Sequence, residues 1–174
     1  MQRKITPTAK EVLFDRDHFI VSKTDLKGRI TYVNRAFCAI ASYSERELLG
    51  APHSIIRHPD MPRAVFRLLW DRLTEGDEVF AYVKNMTKNG DFYWVFAHVT
   101  PSYDGSRHIV GFHSNRRVPN PRVVRETIIP LYAELKRAED SFANAKQGLA
   151  ASYKMLNEIV ASKARSYDEL VFSL

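Results

Sequence analysis

The sequence carries a single cysteine, Cys38, among 174 residues. One thiol cannot close an internal disulfide, so stability must come from packing and hydrogen bonds, and a reducing, cytoplasmic setting is expected. Its neighbours Ala36, Phe37, Ala39 and Ile40 are apolar, which predicts a buried, unreactive thiol. No apolar run approaches the roughly 18 residues needed to span a bilayer. The opening residues, through Pro7, lack the apolar stretch of a secretory signal. Glycine is scarce, at seven residues, and none of it forms a phosphate-cradling loop of the Walker or Rossmann type. The net charge is +6, yet no basic run exceeds Arg116-Arg117, so the stripe that nucleic-acid binding requires is missing. His53, His58 and Asp60 lie close in sequence but fit no strong metal template, with no cysteine or second carboxylate nearby. Ser54 could pair with His58, but no strained nucleophile turn surrounds it. These absences predict a protein that is not an enzyme, with no catalytic or metal-ligating residues.

What is present is enough apolar material for a real core: 45% hydrophobic and 11% aromatic residues. The length suits one domain with an appendage. Residues 1–18 are polar around a short amphipathic piece, Ala9–Phe14, which reads as a cap helix or a loose arm. Phe19–Asp25 and Arg29–Asn34 are rich in β-branched and aromatic residues around an Asp…Gly turn, a hairpin signal. Asn34 can cap the helix that follows, and Ser44 precedes a second short one. Three prolines in residues 51–62 exclude a long helix there. Arg63–Thr74 is amphipathic, with Pro62 placed for its first turn and Gly76 at its end. Strands are predicted at Val79–Met86, Asp91–Ser102 and His108–Arg117, joined by Asn-Gly and Asp-Gly turns. The order gives an α+β domain with a five-stranded antiparallel sheet flanked by short helices, over residues 19–118. Beyond it, over 119–174, Leu131, Leu135, Ala138, Phe142, Ala145, Leu149, Leu156 and Ile159 step by threes and fours. That is a heptad seam, which predicts a long, coiled-coil-like helix and a homodimer through it; the alternative is a helix folded back over its own sheet.

Two segments are more specific. Residues 52–62 (PHSIIRHPDMP) and 83–95 (VKNMTKNGDFYWV), in this order behind the opening hairpin, resemble the PAS domains of bacterial aerotaxis receptors. The resemblance covers about residues 19–118. It implies the PAS fold, a non-covalently held FAD whose redox state reports respiration or oxygen, and signalling to a chemoreceptor or other downstream partner. It carries cofactor-binding roles to Arg57, His58 and Asp60, and further to Asn34, Trp70 and Asn85. The family usually has a Trp behind a Pro before the third strand. Here Asp77-Glu78-Val79-Phe80 stands in that place, and Phe80 is the nearest aromatic.

The residues themselves admit these roles. Arg57 offers a permanent cation and a fork of donors to a phosphate. His58 can answer a change of charge on a ligand. Asp60 can orient either neighbour or cap the helix after it. The Asn85 amide suits a uracil-like edge, or steadies the nearby turn. Trp70 belongs to the core or to a ligand slot with Ile55, Phe66, Phe80 and Val99. Haem held by His53, His58 or His98 is the alternative cofactor, and a cofactor-free interaction module the third reading.

Overall fold

The computed structural model describes residues 5–174. β1 (Ile20–Asp25) and β2 (Ile30–Val33) form the opening hairpin. Asp25 makes its turn: Oδ1 accepts from the amides of Lys27 and Arg29 at 2.8 and 2.9 Å. A helical crossover follows, with α1 (Arg35–Ala41), α2 (Glu45–Leu48), a 3-10 turn (His53–Ile56) and α3 (Arg63–Glu75). Then β3 (Val79–Met86), β4 (Phe92–Tyr103) and β5 (Ile109–Arg117) run as a meander. The sheet order is β2-β1-β5-β4-β3, antiparallel throughout. This is the five-stranded α+β arrangement that the order of signals predicts.

Local chemistry accounts for the boundaries. Asn34 caps α1, and Ser44 with Glu47 closes a reciprocal capping box on α2. Pro62 sits at the N-cap of α3, one position earlier than expected, and offers no side-chain cap. In the turn after β4, Asp104 Oδ1 accepts from the amides of Ser106 and His108, and the positive φ falls on Arg107 rather than on Gly105.

The N-terminal arm is neither helical nor loose. It runs extended beside the start of β4: the Val12 amide donates to Phe92 O at 2.7 Å and the Phe92 amide to Lys10 O at 3.0 Å. It crosses Gly90, where a Cβ would lie 2.2 Å from Thr6 O, so this turn needs glycine for close approach as well as for its φ of 93°. Residues 1–4 of the expected arm lie outside the described residues. Cys38 is half-buried rather than buried, and desolvation pushes its thiol pKa up.

The C-terminal region corrects the expectation of one long helix. α4 (Pro121–Val123), a π-helical turn (Val124–Ile128) and α5 (Ile129–Asp140) run on from one another. The widened turn ends two residues before Pro130, which has no N–H to donate and whose ring would crowd the Glu126 carbonyl. The chain then breaks at residues 141–144. Asn144 Oδ1 accepts from the amides of Lys146 and Gln147 and starts α6 (Ala145–Lys163), which packs back on α5; α7 (Tyr167–Ser173) follows. The small residues of α6 permit this fold-back. Gly148 and Ser152 are buried, and a Cβ at 148 would stand 2.1 Å from Glu139 O. Leu131, Leu135 and Leu156 of the expected seam pack inside the chain, while Phe142 is exposed at the hairpin tip.

These helices wrap the β3 edge of the sheet. On the outer face, Tyr132 donates its hydroxyl proton to Tyr82 O at 2.6 Å. On the other side, Tyr153 of α6 donates to Asp71 of α3 at 2.9 Å. Between them, Asp168 accepts from the Phe80 amide at 3.3 Å and pairs with Arg72 at 3.0 Å. The open edge of β3 is thereby covered, which removes a surface on which strands of other chains could pair. Among the described residues no helix is long and apolar enough to cross a membrane.

Candidate functional site

Strand alternation sends Val79, Ala81, Val83 and Asn85 of β3 to the inner face, toward α3, and Phe80, Tyr82 and Lys84 to the outer one. Between the inner face and α3 lies a cavity of about 310 Å³. Phe66, Leu69, Trp70 and Leu73 of α3 form one wall, and Val83, Val99 and Phe112 of the sheet form the other. Of the apolar slot expected from sequence, Phe66, Trp70 and Val99 line the cavity. Ile55 does not; its neighbour Ile56 does. Phe80 lies on the outer face, stacked on His98 with ring centroids 4.2 Å apart and met by Phe172 of α7.

Trp70 stands at the mouth. It is 37% exposed, packs edge-on against Phe112 at 5.2 Å, and leaves a Cβ on Gly28 only 3.3 Å from its ring. It is thus neither plain core nor fully inside the slot.

Arg57 and Asn85 are brought together: their backbones form an antiparallel bridge and both line the cavity. The Arg57 guanidinium lies 4.1 Å over the Phe66 ring and donates to Met61 O at 3.4 Å. Burial lowers its pKa.

Three expected site residues lie elsewhere. Asn34 is a structural hub: Oδ1 accepts from the amides of Val21 and Phe37, and Nδ2 donates to Phe19 O. His58 is buried, with Nδ1 accepting from the Asp60 amide at 3.1 Å and its ring edge-on to Phe92. The Asp60 carboxylate pairs with Lys84 at 2.7 Å, on the outer side of β3. His58, Asp60 and Lys84 tie the 57–62 loop to the edge strand and do not line the cavity.

The structure adds a cluster that sequence reasoning missed. Arg116 of β5 is fully buried and lines the cavity. Its Nη2 donates to Ser22 Oγ and to His53 Nε2, the latter at 2.9 Å, and its Nε donates to Ser114 Oγ at 3.0 Å. His53 therefore accepts through Nε2 and stays neutral; burial and the facing guanidinium lower its pKa to about 3. Burial lowers Arg116 to about 10, so it keeps its charge at neutral pH. The partners are 63 and 94 residues distant in sequence. The one hint in the sequence is an arginine where β5 alternation calls for an inward residue.

The cavity wall holds three cations, Lys27, Arg57 and Arg116, and no Asp or Glu. Every ion pair to a carboxylate among the described residues lies elsewhere. Such a space suits a planar apolar group with an electron-rich or anionic edge. It does not suit haem. His58 and His98 are outside it, and the His53 Nε2 is already bound to a permanent cation, which disfavours axial ligation.

A five-stranded sheet enclosing a cavity beneath a helical crossover defines a small α+β domain with an internal ligand-sized space. A family model of the PAS fold matches residues 30–116, half of the chain, and the chain belongs to the PAS family. It is 38% identical over 125 residues to the aerotaxis receptor of Escherichia coli (strain K12), a match covering 72% of this chain and 24% of the receptor. It is 29% identical over 87 residues to a biofilm dispersion protein of Pseudomonas aeruginosa, over 49% of this chain and 21% of that one. The chain thus spans about a quarter or less of these relatives. Among solved structures, the dark state of the blue-light photoreceptor Aureochrome1 LOV aligns with a TM-score of 0.55 at 20% identity, over 71% of this chain and 99% of that one. A light-oxygen-voltage domain studied with a flavin analogue aligns at 0.56 and 18% identity, over 67% and 87%.

Proposed function

We propose that this PAS domain holds FAD non-covalently, with the flavin ring in the inner cavity, and reports the redox state of that flavin to a downstream signalling partner in the cytoplasm. The observation that carries the reading is the cavity wall itself, apolar on both faces, with Asn85, Arg57 and Arg116 on its polar margin and no acid. A bound flavin supplies a planar ring that takes up electrons and changes its charge and hydrogen bonding in doing so. The Asn85 amide provides a donor and an acceptor to a ring edge. Phe66, Leu69 and Val83 exclude water from the ring faces. At 310 Å³ the cavity is at the small end of ligand pockets and suits the ring rather than a whole dinucleotide. Arg57 and Lys27 are the cations available to phosphates. The likeness to the aerotaxis receptor supports a chemotaxis-type partner.

A sensory role is favoured over an enzymatic one because the cavity offers no free base. Its one histidine is held by Arg116, and no carboxylate faces it. Residues 19–118 act as the sensor and 119–174 as the output element. The path to the output runs from Arg57 through the 57–62 loop to the start of α3, where Glu139 of α5 is bound.

Asn85→Ala and Arg57→Ala should each lose most bound FAD, measured by absorbance after gel filtration, while the far-ultraviolet circular dichroism stays that of the wild type. Full occupancy in both variants would refute this site.

A further inference from the structure

An arginine buried without a carboxylate is costly, because its charge leaves water and nothing of opposite sign receives it. Arg116 is 2% exposed, and every group it touches is neutral: two serine hydroxyls, the His53 ring and, at 5.0 Å, the face of Phe37. Its Nη1 has no hydrogen-bond partner. A residue kept only to link β1, β5 and the 3-10 turn would need neither the charge nor that second nitrogen. A neutral amide would bond the same hydroxyls without the desolvation cost. The surroundings do not relieve the charge, since the nearest other ionised groups on the cavity wall, Arg57 and Lys27, carry the same sign.

We infer that Arg116 is a ligand subsite: it is held by Ser22, Ser114 and His53 for the negatively charged or carbonyl-oxygen edge of a planar ring ligand, and so favours the reduced, anionic form of that ligand over the oxidised one. This rests on the flavin reading for the identity of the ligand. It goes beyond it in naming the group that senses charge. The three neutral partners fix the guanidinium in place without consuming its charge, which leaves the full Coulombic response to the ligand. His53 serves as a positioning residue, since it stays neutral and accepts from Nη2.

The test uses the full chain as wild type, Arg116→Met and Arg116→Lys, with FAD as the probe and dithionite as the reductant. Two readouts are needed. The first is the thermal midpoint of the ligand-free protein. Removing an unanswered buried charge in favour of an apolar chain of similar length should leave the Arg116→Met midpoint unchanged or raise it by a few degrees. The second is the midpoint potential of bound FAD, a two-electron couple whose reduction takes two electrons from dithionite and one proton from solvent. Arg116→Met should bind oxidised FAD as tightly as wild type but reduced FAD about ten-fold more weakly, a fall of about 30 mV. Arg116→Lys should lie between the two. A ligand-free midpoint lowered by several degrees in both variants would make Arg116 a structural anchor and overturn the inference. So would an unchanged potential, with the flavin reading left standing. If the wild type takes up no FAD at all, the flavin reading fails, and the ligand-free midpoints alone decide whether Arg116 is held for a ligand.

Discussion

Glu139 Oε1 accepts a hydrogen bond from the backbone N–H of Ala64 at 3.0 Å, across 75 residues of sequence. Its Oε2 receives Nε of Arg63 at 3.2 Å. α3 starts behind Pro62, which has no side chain to cap it, so a carboxylate from α5 does the work of an N-cap and also faces the positive end of the helix dipole. Because α3 forms one wall of the cavity, the cavity and the C-terminal helices share a single helix end.

Removing that carboxylate should loosen both. Glu139→Ala leaves the Ala64 N–H buried without a partner, a loss of about 1–3 kcal/mol. Glu139→Gln keeps the acceptor for Ala64 and should lose less. Urea unfolding followed by circular dichroism measures the difference; equal midpoints for the two variants would remove the capping role.

Gly148 tests how close α6 must come. Alanine gains about 1 kcal/mol of helix propensity over glycine. Here, though, its Cβ would stand 2.1 Å from Glu139 O, a backbone clash that only a shift of α6 can relieve, costing about 1–3 kcal/mol or more. The clash wins, so Gly148→Ala should lower the unfolding midpoint. A raised midpoint would mean that α6 does not pack on α5 in this way.

His53 sets a pH dependence. Its pKa falls from an ordinary value of 6.5 to about 3 in the folded chain. Between those values the unfolded chain binds a proton that the folded one does not, so stability falls as pH drops below about 6.5, by at most about 1.4 kcal/mol per pH unit. His53→Asn, which can still accept from Arg116, should flatten this part of the stability curve. The comparison is the difference in unfolding free energy between pH 7 and pH 4.5 in the two proteins, and identical slopes would contradict the assignment.

The sequence announces features made by neighbours in the chain. The Asp25 turn, the Asn34 cap, the Ser44–Glu47 box and the strand meander all follow from residues a few positions apart. Features made by distant pairs are silent. Arg116 meets Ser22 and His53 only once β5 lies beside β1, and its inward place in the β5 alternation hints at burial without naming its partners. The fold-back of α6 was hidden for a different reason. Leu131, Leu135 and Leu156 satisfy a heptad pattern whether the apolar stripe meets a second chain or its own, and the deciding residues, Asn144 and Gly148, act through capping and close approach rather than periodicity. For the candidate site, the motif around Arg57 leads to the 57–62 loop, of which Arg57 alone lines the inner cavity. The turn after it carries His58 and Asp60 away from the cavity that Arg57 lines, to Phe92 and Lys84.

Trp70 offers an optical report on the mouth. The chain has two tryptophans, and Trp94 lies on the outer face against Tyr132. In Trp94→Phe the remaining emission comes from Trp70, and FAD entering the cavity should quench it with a saturable dose response. Quenching that persists in Asn85→Ala at the same concentrations would argue for contact at the surface only.

The most direct measurement is the visible absorption spectrum of the full chain after incubation with FAD and removal of free ligand by gel filtration. Flavin bands at about 370 and 450 nm that bleach with dithionite and return in air are the predicted result. Protein that emerges colourless, with its circular dichroism intact, would contradict a flavin-sensing cavity.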